Sequence, residues 1–94
     1  MTTAEGSLPG HELVRAGLDD LAAGVESEAA LVVAMAAPRL RAIGIEVPAG
    51  GGSFPSHRLY ALLAQSGDGA HGRYNALVRR IASYARAAEH AAPG

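Results

Sequence analysis

Two short segments gather the side chains best suited to chemistry. "HRLY" spans His57 to Tyr60 and "HGRYN" spans His71 to Asn75, and each sets histidine, arginine and tyrosine close together. Histidine exchanges a proton near neutral pH and arginine stabilises developing negative charge, so a pocket built from His57, Arg58 and His71 would suit proton transfer beside an anion. The pocket exists only if the two segments converge. Both stand near expected helix starts, where the positive end of a helix disfavours protonated histidine. The echo is also too short to count as an internal repeat, and in a chain rich in arginine chance explains it more simply.

A second constellation is larger. From His71 to His90 the chain reads "HGRYNALVRRIASYARAAEH", which places Arg73, Arg79, Arg80 and Arg86 on one helix. The planar guanidinium fork matches pairs of phosphate oxygens, so these four are the candidate anion-binding residues. The plainer reading is a solvated face, or arginines that pair with the acidic first helix. Tyr74 and Tyr84 fall on the opposite, apolar side of that helix, so no platform for stacking nucleic-acid bases is evident. Asn75 suits either a base edge or an open backbone group near the helix start.

Other chemistries find little support. The chain has no cysteine, which removes disulfides and thiolate metal sites. No two histidines stand four apart, and no Glu-x-x-His pattern of the di-iron bundles occurs, so no metal ligand set is expected. "AGGGSF", Ala49 to Phe54, resembles a phosphate-gripping loop only in its glycines, because no lysine follows and no strand precedes it. Nothing signals a hydrolase triad, and no cofactor is expected.

Charge carries more information than motifs. Net charge is −1, whereas a tight nucleic-acid binder commonly shows a positive excess. The charges are nonetheless segregated: residues 1–35 hold six carboxylates against Arg15, and residues 36–94 hold seven arginines against three carboxylates. Halves of opposite sign attract, within one chain or between two. All eight basic residues are arginine, which with the abundant alanine and glycine suggests a GC-rich, bacterial genome. The start "MTTAEGSLPG" lacks a basic, apolar leader, and the longest apolar run, Ala29 to Ala37, is about half of a bilayer span. A cytoplasmic protein with no membrane association is expected.

The elements that must position these residues are helices. Strand-type alternation is absent, so an all-α fold is expected: two helical hairpins forming a four-helix bundle or a helical dimer. The 94 residues make a single helical domain, with a disordered start over 1–7, a first hairpin over 8–45, a Gly-rich linker over 46–55 and a second hairpin over 56–91. Ser7 is expected to cap the first helix, with Pro9 in its first turn. Val14, Gly17, Leu18, Leu21 and Val25 supply its apolar side, and Gly24 its end. Ser27 caps the second helix, and Pro38 should stop or kink it after Ala37. Gly44 ends the turns that follow, and "IEVP" is an extended exit. Ser53 or Ser56 would cap the third helix, with Leu59, Leu62 and Leu63 buried. Gly67 stops that helix and Asp68 caps the last. There Tyr74, Leu77, Val78, Ile81, Tyr84, Ala85 and Ala88 make one apolar stripe opposite Asn75, Arg79, Ser83, Arg86 and His90.

The second helix raises the question of a partner. Its body "EAALVVAMAA" is apolar on nearly every side, and a helix of that kind must be covered all round. About twenty larger aliphatic side chains at roughly 1.5–3 kcal/mol each only narrowly offset the cost of ordering so short a chain. Leu31, Val32, Val33 and Met35 are therefore the expected partner-interface residues. The function expected from this is a non-enzymatic bacterial interaction protein, a homo-oligomer or the companion of another helical protein. The alternative is a nucleic-acid-associated protein that uses the arginine ridge.

Overall fold

In the computed structural model, residues 10–49, 54–65 and 67–91 are described, and all their regular structure is helical. The element order is α1 (His11–Ala23), α2 (Glu28–Met35), α3 (Ala37–Ala42), α4 (Pro55–Ala64) and α5 (Ala70–Ala91). Five helices stand where four were expected, because Pro38 divides the second one. Pro38 lacks the N–H that would bond to the Ala34 carbonyl, and its ring crowds that carbonyl. The break accordingly falls at Ala36, so that α2 ends at Met35, two residues before the expected last residue Ala37. Ala37 already begins α3, Pro38 is tolerated in its first turn, and the Leu40 N–H donates to the Ala36 carbonyl at 3.0 Å.

Two helix ends are closed by glycine in the left-handed region. Gly24 (φ 76°) ends α1: its N–H reaches the Leu21 carbonyl, and the Val25 N–H reaches that of Asp20 at 2.8 Å. Gly44 (φ 90°) repeats the pattern after α3, with Gly44 bonding to Arg41 and Ile45 to Leu40. Both are six-to-one closures of the kind glycine permits, since only it enters this region without strain. Val25 lies beyond the first closure and is half exposed rather than part of the α1 stripe. Residues 45–48 carry no regular secondary structure.

At the other ends the caps are mixed. Ser27 caps α2 as expected: its Oγ accepts the Ala30 N–H at 3.1 Å and donates to Asp20 Oδ2 at 2.5 Å. α1 starts at His11 after Gly10, and the expected cap Ser7 lies outside the described residues. α4 is entered through Phe54, at φ 54° the one described non-glycine residue in the left-handed region. Pro55 follows as the first helical residue, so Ser56 is inside the helix and caps nothing. Ser53 lies outside the described residues. α4 ends by Gln65, two residues before Gly67, and α5 begins after Gly69, whose carbonyl accepts the Arg73 N–H at 3.0 Å.

α2 sits at the centre, packed chiefly on α1 and α4 and also touching α5. Its closest approach is to α1 at Gly17: a Cβ built there would lie 2.4 Å from the Ala29 carbonyl oxygen and 2.3 Å from Val33 Cγ2. The absent side chain lets the two backbones meet. This packing corrects the expected partner interface. Leu31, Val32 and Val33 are each 0% exposed within the single chain. They need no second chain to cover them, and of the four expected interface residues only Met35 keeps part of its surface in solvent. The reason is length. Eight residues make a rod of about 12 Å, which three neighbours can enclose, whereas an unbroken apolar helix running through Ala37 would outreach them. Leu40, Leu59, Leu63, Ile81 and Tyr84 complete the core around it, and among the described residues no polar or charged one is buried. Among the described residues, no helix is long and apolar enough to cross a membrane.

Candidate functional site

The break at Ala36 has a consequence on the surface. α5 has 22 residues, about 33 Å of helix, and outruns each neighbour. Where α2 stops and α3 turns away, Val78, Ile81, Ala82 and Ala85 of α5 face Met35, Ala36 and Pro38 across a cleft of about 310 Å³. The walls are mainly apolar, and the alanines at 82 and 85 leave the space open. Arg39 closes one side through its ion pair with Glu89 (Nε to Oε2, 2.8 Å). That hydrogen bond holds the Glu89 carboxyl below its ordinary range, helped by charge from Arg39, His90 and Arg86, and raises Arg39.

The opposite rim is basic. At 100° per residue, Arg86 and Arg79 stand about 40° and 60° round the helix from Ala82, on the side away from Val78 and Ala85. Both are exposed, as is Arg80 about 160° away, and among the described residues none of the three forms an ion pair or hydrogen bond with a carboxylate, although the charge of Arg86 reaches Glu89. Arg73 is different: its Nη2 lies 3.1 Å from Glu28 Oε2. Of the four expected anion-binding residues, one is thus ion-paired within the chain and three form no ion pair with a described residue. Arg58 and Arg41 are also engaged internally, whereas Arg15 on α1 is exposed and, among the described residues, forms no ion pair. Arg58 Nε donates to Glu26 Oε2 at 2.8 Å, and Arg41 Nη2 to the Val47 carbonyl at 2.8 Å. Arg58 and Arg73 both join the basic part of the chain to the acidic part, so some of the segregated charge meets itself inside one molecule.

The histidine segments meet without forming an acid–base site. His71 contacts the Tyr60 ring edge-on at 6.4 Å between centroids, and Tyr60 leans on Tyr74 at 5.7 Å. His57 stacks on Phe54 at 5.7 Å. No hydrogen bond or ring contact joins His57 to His71, and Arg58 is turned to Glu26. What brings α4 to α5 here is an aromatic contact.

An open hollow of about 640 Å³ lies between α1, α2 and α4, with Asp20, Glu26 and Glu28 at its edge and Leu62 and Gln65 on its wall. Its carboxylates are occupied by the Ser27 hydroxyl, Arg58 and Arg73. Neither His57 nor His71 lines this hollow or the apolar cleft. Among the described residues, no three histidine or carboxylate side chains gather as a metal site would require.

The apolar cleft escaped the reading of the sequence. Its signals were present: a proline that interrupts an apolar helix, and alanines at 82 and 85 next to the larger Val78, Ile81 and Tyr84 of the same helix. Which neighbour those alanines face depends on how the helices cross. Compared with known proteins, the chain matches no family model, no curated protein and no solved structure at a significant level.

Proposed function

We propose that this chain is a non-enzymatic helical interaction protein that works as an oligomer, and that its contact surface is the cleft beside α5. The observation that carries this reading is the pairing of an apolar cleft, walled by Val78, Ala82, Ala85, Met35 and Pro38, with a rim of unpaired arginines, Arg79 and Arg86. An apolar centre with a charged edge is the ordinary anatomy of a protein–protein contact. The apolar part supplies affinity, and the arginines choose an acidic partner and reject a basic one. The interface thus moves from the interior of α2 to the surface created where α2 ends.

The test is sedimentation velocity over micromolar concentrations, with Ala82→Glu as the probe. The wild-type chain is expected to sediment as a dimer or larger species. A glutamate at Ala82 fills the cleft with a charge and should return the chain to monomer while its helical circular dichroism persists. A wild-type chain that stays monomeric throughout refutes self-assembly.

A second reading, a nucleic-acid-associated protein, is favoured by one observation: Arg79, Arg80 and Arg86 are exposed without carboxylate partners. Against it stand the net charge of −1 and the engagement of Arg73 by Glu28. Binding through phosphates would fall steeply with salt on a nucleic-acid column and vanish on reversing Arg79 and Arg86. Retention independent of those two residues removes that reading.

A further inference from the structure

Resting on the reading of the cleft as a subunit contact, we infer that its occupant is α1 of a second copy of this chain. The exposed side of α1 carries Glu12, Ala16, Asp19 and Ala23. Among the described residues, no cation pairs with Glu12 or Asp19. These four recur at intervals of four, three and four, so they form one stripe along the helix. The two alanines give it a low profile, which allows a helix to sit close over Ala82.

The charges match in number, sign and spacing. Glu12 and Asp19 are seven residues apart, as are Arg79 and Arg86, so each pair spans about 10.5 Å of helix. Glu12 and Asp19 stand about 40° and 60° from Ala16 in one rotational sense, and Arg86 and Arg79 stand about 40° and 60° from Ala82 in the other. When two helices face each other, those opposite senses fall on the same edge only if the helices run parallel. A parallel contact centred on Ala16 and Ala82 sets Glu12 beside Arg79 and Asp19 beside Arg86. The antiparallel arrangement places acids and arginines on opposite edges. Arg15 lies about 60° further round than Glu12, beyond the contact edge.

The competing self-contact, α5 against α5, brings the unpaired arginines of both copies together and is disfavoured by repulsion. The acidic hollow beside α2 is a poorer seat for the arginines, because Arg58 and Arg73 already pair with its Glu26 and Glu28 and the Ser27 hydroxyl donates to its Asp20. Of the described helical surfaces, the exposed stripe of α1 combines small residues with unpartnered acids at the required spacing.

The experiment is a charge exchange read by sedimentation. One variant carries Arg79→Glu with Arg86→Glu, and the other carries Glu12→Arg with Asp19→Arg. All four positions are exposed, so both variants should keep the wild-type helical signal; Arg79→Gln with Arg86→Gln serves if the first does not. Each variant alone has like charges on both faces and should self-associate about tenfold or more weakly than wild type. Mixed in equal amounts they present opposite charges again, and association should return. Either variant associating as wild type does, or a mixture no stronger than its components, overturns the assignment of α1 while leaving an assembly through the cleft standing. A monomeric wild type overturns the assembly itself.

Discussion

Gly17 offers the sharpest test of how this core is built. Replacing a helical glycine by alanine ordinarily stabilises a protein by up to about 1 kcal/mol, since alanine loses less backbone entropy on folding. At Gly17 the added methyl carbon would lie 2.4 Å from the Ala29 carbonyl oxygen, 3.0 Å from its carbon and 2.3 Å from Val33 Cγ2. Val33 has a stiff, branched side chain, and the carbonyl belongs to a helix backbone, so neither can swing aside. Relief requires α1 and α2 to separate by about 1 Å along their contact, which opens voids on both sides of it. Overpacking of this kind costs about 1–3 kcal/mol, and a clash against backbone belongs at the upper end. Against the gain in propensity, Gly17→Ala should destabilise the chain by about 2 kcal/mol. For a domain of this size that lowers the melting temperature by roughly 8–16 °C.

Gly72 is the control. It lies in the first turn of α5, and a Cβ there meets nothing within 4 Å. Gly72→Ala should therefore be neutral or stabilising, by at most about 1 kcal/mol. Thermal and urea unfolding followed by circular dichroism give both values on one scale. If both substitutions raise stability alike, the close crossing of α1 and α2 at Gly17 is wrong, and so is the enclosure of α2 that depends on it.

Leu31→Ala should lower unfolding free energy by about 2–5 kcal/mol, because the residue is fully enclosed. Its folded fraction should sediment as wild type does; a change in oligomeric state would return the contact to α2. Ser27→Ala removes the acceptor for the Ala30 N–H and the donor to Asp20, and should cost about 1 kcal/mol in urea unfolding, with Ser27→Asn retaining most of it. The Arg39–Glu89 pair predicts a titration. Glu89 is held low chiefly by the hydrogen bond from Arg39, so the stability this pair contributes is present at neutral pH and disappears as pH falls through the lowered carboxyl pKa. Arg39→Ala should move the Glu89 carboxyl up toward its ordinary range in a carbon-detected NMR titration. An unchanged midpoint means the pair does not form in solution.

The linear sequence determined most of what depends on near neighbours, though not the start of α4, where Phe54 and Pro55 rather than Ser56 set the helix end. Period-3.6 patterning fixed the helical class and the stripe on α5 that runs from Tyr74 to Ala88. Side-chain and backbone chemistry within a few residues fixed the Ser27 cap and the closures at Gly24 and Gly44. The break at Pro38 was also local, and fell two residues earlier than expected because a proline disrupts the turn that precedes it. Tertiary structure decided how far each apolar surface is covered, because coverage depends on the lengths and crossings of other helices. A two-turn α2, approached through Gly17, hides Leu31, Val32 and Val33 completely within one chain. The same geometry leaves a cleft beside Ala82, engages Arg58 and Arg73 with carboxylates distant in sequence, and leaves Arg79 and Arg86 without an ion pair among the described residues. Patterning tells which side of a helix is apolar; only the arrangement of helices in space tells whether that side is already occupied.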